Sequence, residues 1–224
     1  MSDTYYEMQW KLDNAGYLAP DPEGGGLTAY ADQTWSIRYS WEDTFNASYQ
    51  AFVRFDITNI PVGWTAIGGG LGFDPRVVQD YGYAKSLYVL TADYATLDTG
   101  DIFTPYTGAP TTGYDATETI DFSNISWYVH TFGDGVIAAI NSHFDQTNKL
   151  AFMMRYDASD PETTYDSTIY VTDATGSCML YLKLVPPIGT VYTNGDFFYS
   201  NEFYGVRQLP RSKDAVSPAE DSLF

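Results

Sequence analysis

The chain has 224 residues, a net charge of −18 from 11 Lys+Arg against 29 Asp+Glu, and 44% apolar residues. That is enough apolar material for one large domain or two small ones, which excludes global disorder. A surface this acidic repels a nucleic-acid backbone or an anionic membrane. Two histidines and one cysteine exclude a Cys/His zinc centre and an intramolecular disulfide.

Residues 1–30 read as an N-terminal arm. Tyr5-Tyr6-Glu7-Met8-Gln9-Trp10-Lys11-Leu12 alternates weakly, as a short strand does. Asn14-Ala15-Gly16 has turn composition, and Pro20 to Gly26 has too much proline and glycine for regular structure. From Gln33 the period becomes two. Thr34 to Trp41 places Trp35, Ile37, Tyr39 and Trp41 on one face. Tyr49 to Ile57 does the same with Ala51, Val53, Phe55 and Ile57, and Asn59-Ile60-Pro61-Val62-Gly63 ends that strand. By parity Arg54 and Asp56 share the opposite face, and they are expected to bond loops or each other. Thr65 to Phe73, with Gly68-Gly69-Gly70, reads as a strand with a bulge or a close backbone contact.

Ser86 to Ala92 predicts a strand, with a helix over Tyr81 to Leu97 as the competing assignment. Thr104 to Thr117 reads as a loop, and strands are expected near Thr119 to Phe122 and Ser126 to Phe132. Apolar positions 136, 137, 140 and 144 have helical spacing, with Asp134 as the candidate N-cap. Leu150 to Arg155, Thr168 to Thr172 and Cys178 to Val185 predict further strands, the last closed by Pro186-Pro187. Thr193-Asn194-Gly195-Asp196 predicts a hairpin turn within 189–206. Residues 207–224 read as a tail, and Leu223 and Phe224 offer an apolar end for assembly contacts. The expected fold is all-β: a jelly-roll-like antiparallel β-sandwich over 31–188, with one short helix and extended terminal arms.

Val53-Arg54-Phe55-Asp56-Ile57-Thr58-Asn59-Ile60-Pro61 resembles the LRFDLSSIP signature of the DNRLRE, or disaggregatase-related, β-sandwich domains. Ile67-Gly68-Gly69-Gly70-Leu71 stands where that family has an I-x-x-A-x-L strand, with Gly70 in the alanine slot. Asn148-Lys149-Leu150-Ala151-Phe152 is similar to its N-x-G-L-x-L strand but lacks the glycine. Met179 to Leu184 would occupy the place of its final P-x-L-x-V-x-Y strand. The resemblance implies a carbohydrate-binding-like jelly roll of the kind used, without catalysis, in phage virion, tail and cell-surface proteins.

Catalytic chemistry has few carriers in this sequence. Gly-x-Ser-x-Gly is absent, and Gly68-Gly69-Gly70 lacks the Gly-Lys-Ser/Thr ending of a phosphate loop. No catalytic residue, metal ligand or cofactor is assigned. A structural Ca²⁺ would need converging oxygens, and the nearest approaches are Asp98 with Asp101 and Asp157 with Asp160. Cys178 sits in an apolar run and reads as a buried, inert thiol. Trp41, Tyr94 and Trp127 are candidates for a sugar-stacking platform. The 20 tyrosines fit protein interfaces better than a sugar site.

Met1 to Glu7 lacks a basic region followed by an apolar run, and no stretch reaches the roughly 18 apolar residues of a membrane helix. The expectation is synthesis in a cytoplasm without a signal peptide and residence in a virion or other extracellular assembly. Its partners there would be other virion proteins and further copies of the chain. A surface glycan is the alternative ligand.

Overall fold

The computed structural model describes residues 4–20, 27–30, 36–42, 47–48, 50–73, 75–79, 85–92, 111–120, 128–144, 148–156, 167–172, 178–187 and 203–210. The protein is an all-β sandwich with, among these residues, one helix. Its strands in chain order are β1 (Thr4–Lys11), β2 (Asn14–Pro20), β3 (Leu27–Tyr30), β4 (Ser36–Glu42), β5 (Ala47–Ser48), β6 (Gln50–Asp56), β7 (Thr65–Phe73) and β8 (Pro75–Gln79). Then come β9 (Lys85–Leu90), β10 (Tyr114–Thr119), β11 (Tyr128–Thr131), the helix α1 (Asp134–His143), β12 (Lys149–Tyr156), β13 (Ser167–Thr172), β14 (Cys178–Val185) and β15 (Phe203–Pro210).

A five-stranded sheet has the order β11-β7-β14-β1-β15, and a six-stranded sheet the order β10-β9-β12-β6-β2-β3. Every pairing is antiparallel. Between them lies one core. The five-stranded sheet contributes Tyr6, Met8, Trp10, Leu71, Leu180, Leu182 and Leu184, and the six-stranded sheet contributes Val53, Phe55, Leu87, Val89, Leu150, Phe152 and Met154. These positions are two apart along each strand, the spacing of one strand face. Phe152 stacks on Phe132 at 5.6 Å and meets the edge of Phe55 at 6.1 Å.

The central strands of the six-stranded sheet, β6, β9 and β12, are also buried on their other face. Phe52, Tyr88, Leu90, Ala151 and Met153 form a second apolar cluster there, joined by Tyr114. A third sheet, β5-β4-β13-β8, lies on this side, with β4 against β2, β6 and β12. A strand buried on both faces needs apolar residues at successive positions. Leu87-Tyr88-Val89-Leu90 therefore forms β9, and the helix considered over Tyr81 to Leu97 does not form across Lys85–Leu90.

The first thirty residues depart from the expected arm: they supply β1, β2 and β3. β1 is held between β14 and β15 because Tyr6, Met8 and Trp10 all reach the core. The sandwich thus extends beyond 31–188 at both ends. Phe203–Pro210, expected to divide between a hairpin and a tail, forms one strand paired with β1. The Asn194-Gly195 turn lies outside the described residues, as do Leu223 and Phe224. β10 begins at Tyr114, inside the expected loop, and β8 was not anticipated.

The glycine run in β7 is a close backbone contact with a bulge beside it, as expected. The register against β14 shifts between Gly68 and Ala66. A Cβ on Gly69 would lie 2.5 Å from the Tyr181 carbonyl oxygen, and one on Gly70 2.6 Å from that of His130. A Cβ on Gly68 would meet nothing nearer than 3.6 Å. Gly69→Ala and Gly70→Ala should each destabilise by about 1–3 kcal/mol, as overpacking does, while Gly68→Ala should cost less than about 0.5 kcal/mol. Chemical denaturation of the three variants checks the contrast.

Candidate functional site

Polar side chains gather at two places. The first is the open side of the sandwich, where β10 and β11 are the outermost strands of facing sheets. His130 pairs in register with the core residue Leu71, so it shares the inward face of β11. Glu118 lies two residues beyond Ala116, which packs on the core. The Glu118 carboxylate oxygen Oε1 is 2.7 Å from His130 Nε2, and Oε2 accepts the Gly133 N–H at 2.8 Å. One carboxylate therefore joins the two sheet edges and the start of α1. At the other end of the helix, His143 Nε2 lies 2.8 Å from Asp115 Oδ2. A carboxylate only accepts, so each imidazole carries its hydrogen on Nε2.

The helix closes this side by burying Val136, Ala139, Ile140 and His143, with Ile137 and Phe144 partly buried. It packs against β7, β9, β10 and β12, strands of both sheets. Its N-cap is Gly133, with no side-chain cap, in place of the expected Asp134, which is the first helical residue. Asn141 performs a different task. Its Oδ1 accepts the Ala66 N–H at 2.7 Å and its Nδ2 donates to the Ala66 carbonyl at 2.9 Å. β11 pairs with β7 only over Gly70–Phe73, so the Asn141 carboxamide replaces the missing strand beside Ala66.

The second cluster ties the β1–β2 turn to β6 and β12. Asp13 Oδ2 accepts from Arg54 Nε at 2.8 Å and from Lys149 Nζ at 3.1 Å. Lys149 Nζ also donates to Asp56 Oδ2 at 2.7 Å, and Asp56 Oδ1 accepts the N–H of Thr58 at 2.9 Å and its hydroxyl. Arg54 and Asp56 thus hold neighbouring loops, as expected of their parity. Burial raises the Asp56 pKa, but the bonds from Lys149 and Thr58 outweigh it and the net shift is below 3.8. Burial lowers that of Lys149, and its bonds to Asp56 and Asp13 outweigh this to give a net rise above 10.5.

Of the expected sugar platform, only the backbone of Trp41 falls within the described residues. Trp41 lies in β4, opposite Ser167 and Ser48, while Tyr94 and Trp127 lie outside the described residues. So do Asp98, Asp101, Asp157 and Asp160. Among the described residues no group of three or more His, Cys, Asp or Glu could hold a metal ion. Cys178 is buried in the core, where desolvation pushes its thiol well above its ordinary pKa, in keeping with an inert side chain. Glu118, Asp115 and Asn141 were not singled out in the sequence. Their partners lie 12, 28 and 75 residues away, and no spacing rule spans such distances.

No family model matches the chain, and no curated protein is similar to it in sequence. No helix among the described residues is long and apolar enough to cross a membrane.

Asn141→Ala should leave the Ala66 N–H and C=O without their partner and cost about 1–3 kcal/mol in denaturant titration. The Asp56–Lys149 pair should contribute its full stability between the two titrations. Asp56 ionises below 3.8 in the folded chain, so its share is present above that pH and is lost as pH falls through the lowered value. Lys149 deprotonates above 10.5, so its share is present below that pH and is lost as pH rises through the raised value. The melting-temperature difference between wild type and Lys149→Met should therefore be largest near neutrality and shrink at both extremes.

Proposed function

We propose that this chain is a non-catalytic structural component of a virus particle or comparable extracellular assembly: a capsid decoration, neck or tail protein that works through its surfaces. The observation that carries the reading is the use made of the reactive side chains. Both histidines bond carboxylates that hold the sandwich closed, and the single cysteine lies in the core. Among the described residues, neither imidazole has a hydroxyl or thiol as its hydrogen-bond partner, the arrangement a nucleophile would need. The resemblance of Val53 to Pro61 to modules of virion and cell-surface proteins supports the same reading.

Two compositional features add support. The 20 tyrosines are suited to contact surfaces, since a Tyr ring brings large area at low entropic cost. A net charge of −18 keeps free subunits apart at low salt and selects neighbours that are less acidic, or contacts bridged by cations.

Co-expression with the products of flanking genes tests the reading. The chain should co-sediment with particles far heavier than its own 25.0 kDa, and more completely as salt screens its charge. A chain that stays at monomer mass with every neighbour, and binds oligosaccharides on a glycan array, would instead be a free-standing sugar-binding module.

A further inference from the structure

Among the described residues, the three sheets end in six outer strands: β11 and β15, β10 and β3, β5 and β8. An outer strand presents unpaired N–H and C=O groups to any extended chain. Proteins blunt such edges with short strands, charges, prolines and bulges. Five of the six are at most 6 residues long, and several carry further devices. β11 and β3 have 4 residues each and β5 has 2. β10 bears Asp115 and Glu118 and has a bulge between Tyr114 and Ala116. β8 opens on Pro75 and shifts register against β13.

β15 shares a terminal proline and a bulge with them but is the longest of the six and has no acid in its sequence. It runs for 8 residues, Phe203-Tyr204-Gly205-Val206-Arg207-Gln208-Leu209-Pro210, with its proline only at the last position. Its single charge is positive. Its irregularity against β1 falls at the Phe203 end, leaving Val206 to Pro210 in regular register. Among the described residues β1 is its one partner.

Charge indicates the occupant. Two copies carrying −18 each repel one another over most of their surfaces. A strand with no acid and one arginine is a place where that repulsion is weak. The same strand in two copies is self-complementary when paired antiparallel about a two-fold axis, the commonest symmetry of homo-oligomers. It would join two five-stranded sheets into one of about ten strands, which open twisted sheets reach.

We propose that β15 is the contact between two copies of this chain, strand against strand. The inference rests on the assembly reading above and names one of its contacts. Backbone hydrogen bonds supply the attraction, and the absence of acids lets the edges approach.

Sedimentation velocity of the purified chain, from dilute to concentrated solution, reads the association directly, with proline variants as controls. Consecutive amides of a strand point to opposite sides. Of Arg207 and Gln208, one N–H therefore points to β1 and the other points away from it, where no described strand lies. Arg207→Pro and Gln208→Pro are made separately, and the variant that keeps the wild-type melting temperature marks the edge. The wild type should double its mass with concentration, and the edge variant should weaken the dimer at least tenfold. A wild type that stays monomeric throughout overturns the proposal, and so does a dimer that survives in the edge variant. Should both prolines lower the melting temperature, amide exchange in wild type decides. Slowing over 203–210 with concentration supports the contact, and unchanged exchange overturns it. A chain that is monomeric alone yet enters particles overturns β15 pairing and leaves the assembly reading standing. A dimer that enters no particle does the reverse.

Discussion

The central strands of the six-stranded sheet are buried on both faces, and much of the rest of the structure follows from that constraint. Its central strands β6, β9 and β12 face the five-stranded sheet with Val53, Phe55, Leu87, Val89, Phe152 and Met154. On their other face they bury Phe52, Tyr88, Leu90, Ala151 and Met153. Nearly every side chain on these strands must be apolar or, like the fully buried Arg155, satisfied within the protein. Polar residues are displaced to the strand ends and sheet edges. Asp13, Arg54, Asp56 and Lys149 occupy one strand end, and Glu118, His130, Asp115 and His143 occupy one edge.

The wiring of the sandwich makes its first strand part of its core. β1 sits between β14 and β15, so the five-stranded sheet is complete only when residues as far apart in the chain as Thr4 and Pro210 have met. Contacts of such separation are costly in loop entropy, and folds dominated by them form slowly. Trp10, with no exposed surface, shows how firmly the first strand is held once it arrives. Loss of β1 would open the core and not merely shorten an arm.

The histidine–carboxylate pairs belong to the same logic. A sandwich has two open sides where facing sheets end, and apolar side chains there meet water. On the β10–β11 side α1 covers the gap, and Glu118 and Asp115 bind the segments at its two ends. Asn141 completes the backbone bonding that β11 is too short to reach. These residues are polar because they serve unpaired backbone groups and sheet edges, where an apolar side chain would leave donors and acceptors unsatisfied.

The sequence by itself determined the class of fold and most of its elements. The period-two alternation around Val53 and Phe55, the breaker at Asn59 to Gly63, the glycine run of β7 and the helical spacing from Val136 all act over a few residues. Local periodicity and backbone geometry report such features directly. It also showed that Arg54 and Asp56 share a face and that Cys178 is a core residue. Tertiary structure alone decided that the weakly alternating Tyr5 to Leu12 is a central strand, because only the partners Leu180 to Leu184 reveal that Tyr6, Met8 and Trp10 are inside. It alone decided that β9 is a strand, since burial on both faces erases the alternation that would distinguish it from a helix. The polar clasps were likewise invisible, because a carboxylate reads as solvent-exposed until the fold brings a histidine or a backbone N–H within 3 Å of it.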